Sequence, residues 1–114
     1  MFGLGKSRKN DIKVLDAHEL MNNSSKLEFV ILDVRSPGEY SEEHIASAEN
    51  IDYNSKIFKS EIDKMDRNKK YLVYCRTGHR SSNTVKIMIE LGFTDIHNLS
   101  GGIKKWKEEG LPLV

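Results

Sequence analysis

Two largely apolar runs, FVILDV at residues 29–34 and YLVYC at residues 71–75, constrain this chain more than any other feature. Neither alternates polar with apolar residues, so neither suits a sheet with one wet face. A strand of this kind is buried on both sides, which in a water-soluble domain calls for a parallel sheet with helices above and below. The segments around the runs agree. Residues 55–65 carry Ile57, Phe58, Ile62 and Met65 at helical spacing. Residues 81–91 put Val85, Met88 and Ile89 on one stripe, and Gly92 suits the left-handed position that ends a helix.

Shorter pieces complete the pattern. Residues 12–15 read as a brief strand, followed by a helix through Met21 with Asp16 as its cap and Glu19 at the capping-box position. Ser36-Pro37 opens a turn or short helix carrying Glu39 and Tyr40. Residues 45–51 and 95–99 are strand candidates, and Gly101-Gly102 precedes a last helix that Trp106 anchors in the core. Strands alternating with helices predict an α/β fold, a mainly parallel central sheet with helices on both faces. A length of 114 residues allows one domain. Residues 1–10 read as a polar, flexible leader and residues 11–114 as that domain.

Composition removes several function classes. The net charge of +1, with lysines and glutamates interleaved, supplies no basic face for nucleic acid or an anionic membrane. No stretch approaches the roughly 20 apolar residues needed to span a bilayer. The leader lacks the apolar stretch of a secretory signal, and one cysteine fits a reducing compartment, so the expected location is cytoplasmic. His18, His44, His79 and His97 show no paired ligand spacing, and no metal is expected. The run KMDRNKK reads as a solvated face.

The chemistry concentrates in CRTGHRSSN, immediately after the second buried run. Parallel α/β sheets hold their reactive groups just past the carboxyl ends of strands. Cys75 sits there, followed by a six-residue approach to a helix. The helix N-terminus, the cations Arg76 and Arg80, and a nest of amides in which Gly78 takes positive φ would all favour thiolate, the reactive form. An inert buried cysteine is the competing reading. The arginine follows after four intervening residues, so the ring of amides is small and suits the outer sulfur of a persulfide better than a phosphoryl group. Cysteine-dependent phosphatases and arsenate reductases, whose loop is one residue longer, are the less favoured enzyme alternative.

Three blocks in order resemble the rhodanese family of sulfurtransferases: ILDVRSPGEYSEEHIASAENI, VYCRTGHRSSN and LSGGIKKWKEEGLPL. The likeness covers about residues 11–114. It implies a rhodanese-like fold and a single-domain enzyme of the thiosulfate type. Cys75 would be the nucleophile and persulfide carrier, with no cofactor beyond the sulfur it holds. Arg76, Thr77, Gly78, His79, Arg80 and Ser81 would bind substrate. The amides would cradle sulfur, and the two arginines would hold a small anionic donor. The acceptor would be cyanide, a thiol or a sulfur-carrier protein, and the protein a monomer. A non-catalytic rhodanese-like docking module is the alternative from another class.

Asp33, Arg35, Glu39 and His44 read as an ion-pair and hydrogen-bond brace beneath the loop. Glu43 and Ser47 depart from the family, whose members often carry glycine there.

Overall fold

A computed structural model describes residues 9–114. Five strands and five helices alternate along them: β1 (Asp11–Ile12), α1 (Val14–Asn22), β2 (Phe29–Asp33), α2 (Pro37–Glu42), β3 (Glu49–Asn50), α3 (Phe58–Asp63), β4 (Lys70–Tyr74), α4 (His79–Glu90), β5 (Ile96–Leu99) and α5 (Gly102–Glu108). The strands form one sheet in the order β1-β5-β4-β2-β3, and every pairing is parallel.

The two apolar runs become its adjacent central strands, paired from Phe29–Lys70 to Asp33–Tyr74. Their pleat divides each run between two cores. Val30, Leu32, Tyr71, Val73 and Cys75 point into a cluster closed by α3 and α4 through Phe58, Ile62, Val85 and Met88. Ile31, Leu72 and Tyr74 point into the other, closed by α1 and α5 through Val14, Ala17, Ile103 and Trp106. Trp106 is fully buried and donates its indole N–H to the carbonyl of Pro112. Continuous burial, rather than alternation, is what helices on both faces require.

Several local expectations move. Helix α1 begins at Val14, with Lys13 as N-cap and no side-chain cap, so Asp16 lies in the first turn and does not cap it. The strand before it stops at Ile12. The capping box belongs instead to α2: Glu39 N–H donates to the Ser36 hydroxyl, and Ser36 N–H donates to the Glu39 carboxylate. Of residues 45–51 only Glu49 and Asn50 pair as strand. Helix α4 starts two residues earlier than its stripe indicates. Arg67 also departs from a solvated face. Its guanidinium donates to the carbonyls of Leu91, Met65 and Asp63 and lies 4.6 Å from the Phe93 ring centre.

The first eight residues of the expected leader lie outside the described residues. Asn10 is tied to the sheet: its carbonyl accepts from Asn98 N–H at 2.8 Å and its side chain donates to Ile96 at 2.9 Å.

Candidate active site

The chain leaves β2 toward β3 on one side and leaves β4 toward β5 on the other. The carboxyl ends of β2 and β4 therefore diverge, and this topological switch point is where open α/β sheets place their ligands. Cys75 follows β4 here, and Arg35, Ser36 and Glu39 follow β2.

Cys75 is only 1% exposed, yet its sulfur stands in a polar setting. Gly78 N–H donates to Sγ at 3.1 Å and Ser81 N–H at 3.4 Å, with the Ser81 hydroxyl also 3.4 Å away. Gly78 is the N-cap of α4 and provides no side chain, so the sulfur takes the capping role, satisfying an otherwise orphaned first-turn amide. Gly78 has φ +111°, a left-handed conformation that costs glycine nothing and turns its N–H inward. Burial pushes the thiol pKa up; the Ser81 hydroxyl and the amides of Ser81, Gly78 and Thr77 pull it further down, to a net value below the ordinary one. Hydrogen bonds to the charged form thus prevail over desolvation. The inert-cysteine reading correctly anticipates the burial but not the donors.

The two arginines part company. Arg80 makes a two-bond ion pair with Glu39, Nη1 to Oε1 at 2.9 Å and Nη2 to Oε2 at 3.0 Å. Its guanidinium joins the end of β4 to the end of β2, an ion pair that the sequence does not lead one to expect, and it also interacts with Cys75. Arg80's hydrogen bond, partly opposed by burial, holds the Glu39 carboxyl at about 2, with help from Ser36 N–H. Arg76 is exposed, and among the described residues no ion pair engages it. It borders a cleft of about 250 Å³ shared with Arg35, Glu39 and Lys104. Thr77, Gly78 and His79 line a second cleft, about 330 Å³.

The brace lies beneath. Asp33 and Arg35, both buried, bond through Nε at 3.0 and 3.1 Å and Nη2 at 2.7 Å, and Arg35 reaches the Glu43 carbonyl at 2.7 Å. Asn50 donates to the carbonyls of Asp33 and Arg35. His44 stacks on Tyr40 at 3.8 Å between ring centres, and its backbone pairs with Val114.

One support goes unnoticed in the sequence until the helix is in place. The first turn of α5 donates Ile103 N–H to the Cys75 carbonyl at 3.0 Å and Lys104 N–H to the Arg76 carbonyl at 3.1 Å. A Cβ on Gly102 would stand 2.3 Å from the Arg76 oxygen and 2.6 Å from the Cys75 oxygen. The Gly101-Gly102 pair is the signal: a double glycine opening a helix marks a close backbone approach.

The model of the rhodanese-like domain matches residues 16–109. The chain belongs to the rhodanese-like family. The thiosulfate sulfurtransferase GlpE of Coxiella burnetii is 38% identical over 96 residues, 84% of this chain and 85% of that protein. A sulfurtransferase of Allochromatium vinosum is 27% identical over 90% of this chain and 95% of its own length. Among solved structures, a rhodanese-related protein of Thermoplasma volcanium superposes with a TM-score of 0.78 at 35% identity, covering 92% of this chain and 97% of that one. Membership supports a sulfurtransferase in general terms. Among the described residues, no helix of this rhodanese-like chain is long and apolar enough to cross a membrane.

Proposed function

We propose that the protein is a thiosulfate-type sulfurtransferase with Cys75 as nucleophile and sulfur carrier. The observation carrying this reading is the pair of N–H groups, from Gly78 and Ser81, aimed at Cys75 Sγ. In the first step the thiolate attacks the outer sulfur of a thiosulfate-like dianion. The S–S bond to the sulfonate sulfur breaks, its electron pair leaves with sulfite, and Cys75 carries a persulfide anion. In the second step an acceptor attacks the outer sulfur, the bond to Sγ breaks, and the thiolate returns to its amides. Cyanide leaves as thiocyanate, and a thiol, free or on a carrier protein, leaves as a persulfide.

Arg76 is the side chain available to an incoming dianion, since Glu39 neutralises Arg80. The loop amides serve the developing charge on sulfur without reorganisation, the usual advantage of fixed dipoles. No general base is required once the resting thiol is ionised.

Mass spectrometry of the intact protein after incubation with thiosulfate tests the proposal. The expected outcome is one added sulfur located at Cys75, discharged by cyanide as thiocyanate, with both signals absent in Cys75→Ala. Thiocyanate formation that persists in Cys75→Ala would refute it.

A further inference from the structure

The cleft of about 250 Å³ beside Arg76 is lined by α2 and α5, and both helices lead away from the catalytic loop. Their near ends are tied to that loop. Glu39, in the first turn of α2, pairs with Arg80, and the first turn of α5 donates Ile103 N–H and Lys104 N–H to the carbonyls of Cys75 and Arg76. Their far ends are joined by Lys107 Nζ to Glu43 Oε2 at 2.6 Å.

Pairing removes much of the charge from this cleft. Arg35 is held by Asp33, Lys107 by Glu43, and Glu39 by Arg80. Two cations remain, Arg76 and Lys104. Both are exposed, and neither makes an ion pair among the described residues. The Lys104 N–H, bound to the Arg76 carbonyl at 3.1 Å, roots the two stems side by side. Two carboxylates, Glu42 and Glu108, also stand without an ion pair among the described residues. Glu108 lies one helical turn beyond Lys104, and Glu42 is the last residue of α2, so both belong to the end away from the loop. The cleft is therefore cationic where it meets the Cys75 loop and acidic farther out.

We infer that Lys104 is a second positioning cation, acting with Arg76 to draw the dianionic donor to Cys75. The nature of that donor rests on the function proposed above. A charge acts over about 10 Å at 0.1 M salt, so two long side chains rooted at the same rim raise the local concentration of an anion without a fixed spacing. The neighbouring lysine differs. Lys105 is paired with Glu109 at 3.6 Å and lines another cleft with Val14 and Leu15.

The test compares alkylation of Cys75 in the full chain by iodoacetate, an anion, and by iodoacetamide, its neutral counterpart. Their rate ratio reads the field at the sulfur, because any change in thiolate fraction affects both alike. Lys104→Gln should lower the ratio about two- to fivefold, the worth of one exposed charge pair, and Lys104→Glu should lower it further. Lys104→Arg should keep the parent ratio, as should Lys105→Gln, which removes the same charge one residue away. At about 1 M salt, where the Debye length is about 3 Å, the Lys104→Gln effect should fade. A ratio unchanged in Lys104→Gln, or one that falls as far in Lys105→Gln, would overturn the inference. A lowered ratio in a protein that takes no sulfur from thiosulfate would uphold the role of Lys104 and fault the proposed function alone.

Discussion

Glu39 and Arg80 stand 41 residues apart in the chain and meet in a two-bond ion pair at 2.9 and 3.0 Å. The pair crosses the switch point and ties the α2 N-terminus to the α4 N-terminus, whose first turn holds the sulfur. It also divides the work between the loop's arginines, leaving Arg76 to face solvent. Arg76→Gln should raise the thiosulfate KM about fivefold while leaving the denaturation midpoint unchanged, the loss of one exposed charged contact. Arg80→Gln should lower stability by about 1–2 kcal/mol, because Glu39 loses its partner. Steady-state kinetics and urea melts on both variants check this division. Equal KM effects without a stability difference would contradict it.

The same pair leaves a trace in acid. The folded Glu39 carboxyl titrates at about 2, below its ordinary 4.5. A depressed carboxylate contributes stability above the unfolded value and loses it as pH falls through the folded one. Stability should therefore decline between about pH 4.5 and pH 2, with Glu39's share about 1–2 kcal/mol after solvent screening of a partly exposed pair. Glu39→Gln keeps the acceptor for Ser36 N–H and removes the charge. Its urea midpoint should be lower at neutral pH and fall less steeply in acid.

Gly102 sets a steric test of the α5 support. Alanine there would drive Cβ to 2.3 Å from the Arg76 oxygen, at φ +61°. The loop must move, taking the amides off Sγ. Gly102→Ala should cost about 2–4 kcal/mol from overpacking and backbone strain together, with at least about tenfold slower persulfide formation. Gly92→Ala is the control: its φ is +96° but nothing stands within 4 Å, so only about 1 kcal/mol is expected and the rate should hold.

The sheet was readable because FVILDV and YLVYC read as strands buried on both faces and alternate with helical segments, which a doubly covered parallel sheet accommodates. Cys75 and its loop were readable because strand, cysteine, glycine and arginine follow one another locally. The role of Arg80 was not, since its partner Glu39 lies on another crossover and nothing in the local pattern pairs them. The cap of α4 was hidden for a different reason: the capping acceptor is a sulfur three residues before Gly78, not a Ser, Thr, Asp or Asn at the cap. Asp16 misled because a capping box needs extended backbone at its first residue, and the chain is already helical from Val14.

Ser81 is fully buried and offers Sγ both its amide and its hydroxyl. Ser81→Ala removes the hydroxyl and keeps the amide. The thiol pKa should rise, so the fraction present as thiolate falls at any pH below it. Alkylation by iodoacetamide at slightly acid pH should slow about three- to tenfold, the worth of one hydrogen bond, with the rate recovering as pH rises. A pH profile of alkylation for both proteins reads this directly. An unshifted profile would assign the lowered pKa to the amides alone.

Ser47 is the one non-glycine residue with positive φ among the described residues, at +71°. It occupies a position where family members often carry glycine, and it is exposed, in the turn before β3. Glu43, the other departure, has φ −169°, an extended backbone open to any residue. The two substitutions should therefore behave differently. An L-residue in the left-handed region is strained by about 1–2 kcal/mol, against about 0.5–1 kcal/mol of extra chain entropy that glycine loses on folding. Ser47→Gly should raise stability by about 0.5–1 kcal/mol, and Glu43→Gly should lower it, losing the ion pair with Lys107 as well as side-chain restraint on the unfolded chain. Sulfur transfer should be unchanged in Ser47→Gly, because the turn lies away from Cys75. Urea melts of the two variants give opposite signs if backbone strain at Ser47 is the governing term, and matching signs would exclude it.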